Sequence, residues 1–309
     1  MIAKKILITG GCGFIGSNLI RRAAALGLPG PLTVLDNETM GSPAAMPPTV
    51  SAYERGDVRD LATVVRMAEG CDAIIHLAGH TRVLESIEDP VVDFEINARG
   101  TLNVLMAARA AGVRHVLLAS TGGALFGSET APIHEGMVPE PLSPYGASKL
   151  ALEGYAHAFA GSYGIRTTVL RFTNVYGPHS HRKGSAVAHF FRQILARRPI
   201  TVYGDGSQVR DFVYVDDLCD GILQALAASA PGIYHLGSGK PTSIATLLET
   251  MRHVVGDEWP FEVRYAPWRT GEVVRTYTSI EKAAKSFDYR PGVTLEVGLP
   301  RTWRWFLDQ

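Results

Sequence analysis

The stretch "ILITGGCGFIGSN", Ile6 to Asn18, decides how the chain is read. A short apolar strand runs into Gly10, Gly13 and Gly16, and "FIGSNLIRRAAAL" continues as a helix. A phosphate reaches backbone N–H groups only where side chains are absent, and a helix N-terminus adds favourable partial charge. The spacing is T-G-x-x-G-x-x-G rather than G-x-G-x-x-G, and glycines alone often only make turns. The context adds what the triplet lacks. Asp36, twenty residues beyond Gly16, ends a second strand, "LTVLD". A carboxylate there accepts hydrogen bonds from a ribose 2′-hydroxyl and repels a 2′-phosphate. The combination predicts a dinucleotide site that prefers NAD to NADP.

Working outward, strands and helices alternate. "AYERGD" reads as a third strand and Leu61–Glu69 as a helix. "AIIHLAG", "HVLLAS" and "RTTVLRF" are buried-type strands, and a helix from about Val91 to Ala111 lies between the first two. This rhythm implies βαβ units and a parallel sheet with helices on both faces. After Val175 the elements become shorter and mixed. The expected class is α/β: a Rossmann-type doubly wound sheet over 1–175 and a smaller mixed α/β substrate domain over 176–309, with later segments free to return to the first sheet.

The 309 residues are 46% hydrophobic, enough for a sizeable core. Lys+Arg and Asp+Glu are both 30, so no overall basic excess points to nucleic acid or a membrane surface. Cys12, Cys71 and Cys219 are far apart and form no zinc or disulfide pattern, which fits a reducing cytoplasm. No apolar run approaches membrane-spanning length. His76 falls in a strand, which argues against a metal pair with His80, and no metal is expected.

"SPYGASKLALEGYAHAF", Ser143 to Phe159, carries a second signal. Ser143 is an N-cap residue and Pro144 fits the first turn. Tyr145 and Lys149, four apart, then share a helix face. By itself the pair is compatible with a surface tyrosine over a solvated lysine.

Taken together, "TGGCGFIGSNL", "GDVRD", "HLAGHTRVLESIEDP", "NARGTLNVLMAAR", "YGASK", "LRFTNVYGP" and "VYGDGSQVRDFVYVDDL" resemble the extended short-chain dehydrogenase/reductase family, the nucleotide-sugar epimerases and dehydratases. The resemblance covers nearly the whole chain. It implies that Phe14 and Ile15 follow the pyrophosphate turn and that Asp36 and Asn37 face the adenosine ribose. Asp57 and Val58 would flank the adenine, with Leu77, Ala78, Gly79 and Asn97 beside the cofactor. Tyr145 and Lys149 become the acid/base pair, Lys149 also holding the nicotinamide ribose. Phe172 and Asn174 would lie where cofactor meets sugar nucleotide. Arg210 and Arg269 match diphosphate-binding positions, and Thr201 and Tyr203 nucleobase positions. A homodimer is implied, formed through the helix near Asn97–Ala111 and the Tyr145 helix.

Two departures bear on the chemistry. Where the family offers a hydroxyl after the strand "HVLLAS", a gap-free match gives Gly122, and a one-residue shift gives Thr121, with Ser120 nearby. Thr121 and Ser120 are the expected hydroxyl residues. No acid stands between Ser120 and Gly127, where dehydratases and decarboxylases of the family carry one. The expectation is NAD-dependent 4-epimerisation of a nucleotide sugar, a UDP-hexose or UDP-hexuronate. A decarboxylase, dehydratase or reductase on the same scaffold, or an NAD-binding protein without turnover, are the alternatives.

Overall fold

The computed structural model describes residues 5–27, 30–127, 132–268 and 273–309. In the first half β1 (Ile6–Thr9) leads through the glycine turn into α1 (Phe14–Ala25), followed by β2 (Leu32–Asp36) and β3 (Val50–Arg55). Next come α2 (Leu61–Ala68), β4 (Ala73–His76), α3 (Val83–Glu88), α4 (Pro90–Phe94), one π-helical turn (Glu95–Arg99) and α5 (Gly100–Ala110). β5 (His115–Thr121), α6 (Pro144–Tyr163), β6 (Arg166–Phe172) and β7 (Asn174–Tyr176) continue the chain. The second half holds α7 (Ala186–Leu195), β8 (Ile200–Tyr203), β9 (Val209–Tyr214), α8 (Val215–Ala228), β10 (Gly232–Leu236) and β11 (Pro241–Ser243). It closes with α9 (Ile244–Val255), β12 (Val263–Ala266), α10 (Glu281–Phe287) and α11 (Leu295–Leu307).

Seven strands form one parallel sheet in the order β10-β6-β5-β4-β1-β2-β3. β1 and β4 are buried at every position, which is why they read as unbroken apolar runs rather than alternating ones. One face packs on α1, α8 and α10 through Leu19, Ile20, Leu218, Ile222 and Phe287. The other packs on α2, α5 and α6 through Val64, Val104, Leu105 and Leu152. The strand order reverses between β1 and β4, and that reversal opens a crevice at their carboxyl ends. The second half supplies a three-stranded sheet, β11-β9-β7, and a two-stranded one, β12-β8, around its own apolar cluster. Trp303 and Phe306 belong to that cluster, against Phe191. Among the described residues no helix is long and apolar enough to cross a membrane.

The structure departs from the sequence reading in one place that matters for the site. The helix expected from Val91 to Ala111 is interrupted by the π turn at Glu95–Arg99, and α3 precedes it as a separate short helix. β10, from the second half, is the edge strand of the first sheet, beside β6.

Candidate active site

The backbone of the glycine turn packs directly against the end of β4. Gly10 has φ +78°, and a side chain there would meet the Ala78 backbone nitrogen at 2.6 Å. Gly13 caps α1 without any side-chain hydrogen bond, so the first N–H groups of the helix have no capping acceptor from it. Asp36, buried at the end of β2, accepts from Cys12 N at 2.9 Å and Glu38 N at 2.7 Å. Burial pushes its carboxyl above the usual range. Asn37 donates to Asp57 at 3.0 Å, and the Arg59 guanidinium holds the Asp57 carboxyl down at about 2. Val58 is fixed from α5 by Asn103, which donates to its carbonyl at 3.0 Å. Gly10, Gly13, Phe14, Ile15, Gly16, Asp36, Asn37, Asp57, Val58, Leu77, Ala78 and Gly79 thus lie at or just beyond the carboxyl ends of β1 to β4. An empty-handed loop at a helix N-terminus, followed by a carboxylate on the next strand, fits a dinucleotide.

A cleft of about 900 Å³ lies alongside. Ile15, Leu77, Thr121, Tyr145, Lys149, Phe172, Asn174 and Arg210 line it, so residues named from distant parts of the sequence meet there. Ser143 caps α6 by accepting from Gly146 N at 3.2 Å, and Gly164 ends the helix at φ +66°. Tyr145 therefore sits in the first turn with Lys149 directly below it. α3 adds a second anchor: Ser86 Oγ, fully buried, accepts from the Tyr145 backbone N–H at 3.1 Å.

Electrostatics at the pair are set first by burial. Burial dominates and raises the Tyr145 phenol to about 12, against a lowering contribution from the Thr121 hydroxyl beside it. Burial likewise pulls Lys149 down to about 8, while Asp93 and Glu153 favour its ammonium form. Lys149 donates to Ala119 O at 3.0 Å. Asn97, in the π turn, donates to Asp93 at 2.9 Å and receives the His80 N–H at 2.9 Å. A side chain at Gly79 would meet Asn97 Oδ1 at 2.8 Å and Lys149 Nζ at 3.3 Å, so the wide turn brings Asn97 next to the lysine.

The two expected hydroxyls part company. Thr121 lies beside the phenol and accepts from Gly123 N and Ala124 N, both at 3.4 Å. Ser120 instead donates to Glu153 at 2.6 Å. Glu153 is the next residue on the Tyr145–Lys149 face of α6, buried and gripped by Arg171 of β6. Sequence reasoning missed Glu153, although an acid eight residues after Tyr145 on a buried helix face was a visible signal. Ser86 went unread as well, and His80, which the sequence reading set aside only as a metal ligand, stands between Asp93 (3.3 Å) and Glu85 (2.9 Å). His76 is buried between Thr9 at 2.7 Å and Thr101 at 3.1 Å. Thr201 and Tyr203 stand on β8, outside the cleft lining, and Arg269 lies outside the described residues.

Comparison with known proteins gives a consistent picture. A family model described as "NAD dependent epimerase/dehydratase family" matches residues 6–237. The chain is 35% identical over 304 residues to a putative UDP-glucose 4-epimerase of Methanocaldococcus jannaschii, covering 97% of each. The crystal structure of Thermus thermophilus UDP-glucose 4-epimerase in complex with NAD superposes with a TM-score of 0.89 at 36% identity, over 98% of this chain and 99% of that one. The dTDP-glucose 4,6-dehydratase DesIV of Streptomyces venezuelae, solved with NAD bound, superposes with a TM-score of 0.91 at 34% identity, over 98% and 97%.

Proposed function

We propose that this chain, which belongs to the NAD dependent epimerase/dehydratase family, interconverts the C4 epimers of a nucleotide sugar, a UDP-hexose or UDP-hexuronate, with NAD as its cofactor. When bound, NAD supplies a reversible two-electron oxidation at C4 and, in its oxidised form, a positive charge beside the phenol. The glycine turn, Asp36 and Asn97 would hold it, together with Lys149. Tyr145 takes the proton of the C4 hydroxyl at its phenol oxygen and later returns it. Its raised pKa in the free protein keeps the phenol protonated until positive charge gathers around it. Lys149 contributes part of that charge and Thr121 a hydrogen bond.

The observation that carries the choice of epimerisation is the turn after β5. Thr121 is followed by Gly122 and Gly123, with no acid through Gly127. Dehydration needs its own acid and base near the sugar, whereas epimerisation needs only the pair and space for the keto sugar to turn. The two carboxylates that line the cleft are already engaged: Glu85 with His80 and Arg82, and Asp211 with Ser238 and Thr278. The test is a substrate deuterated at C4, followed by mass spectrometry and NMR. The proposal expects an epimer of unchanged mass that keeps its deuterium at C4; a product lighter by water or carbon dioxide overturns it. The proposal includes a homodimer. Leu84, Ile87, Val91 and Phe94 of α3 and α4 are all more than half exposed, with Met106 of α5 also uncovered, and such an apolar surface favours a second copy.

A further inference from the structure

Five cationic side chains, Arg82, Lys149, Lys183, Arg192 and Arg210, line the cleft against two carboxylates, Glu85 and Asp211. Lys183 differs from its neighbours. Arg82 bonds Glu85 at 2.5 Å, and Arg192 is spent on backbone carbonyls, including that of Lys183 at 2.8 Å. The Lys183 ammonium has one acceptor, Val175 O at 3.2 Å, and stands 5.0 Å from the centroid of the Phe14 ring. An ammonium has three donors, so two remain for a ligand. No carboxylate among the described residues pairs with it.

Its position is set from several sides. Asn18 of α1 donates to Pro178 O at 2.9 Å, and Arg82 donates to Arg182 O at 3.4 Å. With Arg192 these bonds fix the loop between β7 and α7 over the start of α1. Phe14 is the first residue of that helix, immediately after Gly13. We propose that Lys183 is a cofactor-binding residue: reaching from the second half of the chain, it clamps the diphosphate of the dinucleotide against the N-terminus of α1. The inference rests on the NAD-dependent reading above and gives it a physical requirement. A 4-epimerase must keep its reduced cofactor while the keto sugar turns, and a clamp tied to the substrate-side loop provides that retention. Enclosure lowers the Lys183 ammonium to about 8, the behaviour of a buried cation lacking its counter-ion.

The test compares wild type, Lys183→Met and Lys183→Arg by equilibrium dialysis with NAD, ADP-ribose, adenosine and UDP; thermal unfolding confirms folding. Lys183→Met is expected to raise Kd for NAD and ADP-ribose about tenfold or more, the value of a charge-assisted hydrogen bond. Adenosine and UDP should bind unchanged, and Lys183→Arg should restore most of the loss. Lys183→Gln serves for the same measurement if the methionine variant folds poorly. Unchanged binding of NAD and ADP-ribose overturns the clamp, as does a loss confined to UDP, which places the ammonium on the substrate. Binding needs no turnover, so an inactive wild type that loses NAD on mutation supports the clamp while sinking the epimerase reading. A wild type that binds no NAD sinks both.

Discussion

Arg171 of β6 holds Glu153 of α6 through two hydrogen bonds, Nε to Oε1 at 2.9 Å and Nη2 to Oε2 at 2.6 Å, with both side chains buried. Ser120, the residue before Thr121, adds a third bond to the same carboxylate. The pair therefore fastens the Tyr145 helix to the two strands whose ends line the cleft. Glu153→Gln leaves the Arg171 charge buried and uncompensated, and urea unfolding should show a loss of about 3–5 kcal/mol. Lys149 is faced by Asp93 from α4, Glu153 and Tyr145 from α6, and His76 from β4. Removing one of the two carboxylates lowers the lysine further, so the alkaline limb of kcat should move to lower pH. An unmoved limb would show that Glu153 acts on folding alone.

Tyr145→Phe removes one oxygen from a buried ring that stays anchored through Ser86 and the helix. Turnover should fall by about 10²–10⁴, the range for a lost general acid/base. NAD affinity, measured by dialysis, should stay near wild type. Undiminished turnover removes Tyr145 from the proposed chemistry.

In the proposed site Asp36 repels a 2′-phosphate; Asp36→Ala deletes that charge, so NADP should begin to compete with NAD in a titration. The carboxylate also holds the Cys12 and Glu38 N–H groups. NAD itself should therefore bind more weakly, and the preference should narrow from both sides.

The depressed Lys149 gives a pH signature in the cofactor-free protein. Its folded pKa of about 8 lies below the ordinary lysine value of 10.5, so between them the unfolded chain binds more protons. Stability should rise with pH across that window relative to Lys149→Met. Parallel unfolding curves for the two proteins at pH 7 and pH 10 would contradict the assignment.

Val91→Asp places a charge at the most exposed of the apolar residues on α3 and α4, 68% accessible. Light scattering at micromolar concentration should show a dimer for wild type and a monomer for this variant. A monomeric wild type refutes the proposed homodimer.

The parts of the fold that were legible are those in which one residue type has one physical use. Glycines at a strand-to-helix turn, Asp36 on the next strand and unbroken apolar strands placed the sheet and its crevice. α3 was not legible, because six residues that leave Leu84 and Ile87 exposed show no buried face to read. The π turn was hidden for a different reason: one extra residue per turn at Asn97 barely disturbs a helical pattern over twenty positions. Glu153 and Arg171 sit on different elements, and only packing shows that each is the other's partner. The structure also separates Thr121 from Ser120, since adjacent strand residues point opposite ways.

The edge position of β10 makes the chain hard to divide. The two halves follow each other along the sequence, yet the last strand of the first sheet is contributed after β9 and α8 have been laid down. Synthesis of the first 175 residues leaves β6 with one bare row of hydrogen-bonding groups and the face meant for α8 uncovered. A ribosome thus releases most of the cofactor half before it can be finished. Neither half is a portable module: the sheet becomes complete only when the segment up to Leu236 has returned to it, and the cleft only when Val273 and Thr276 have joined its lining.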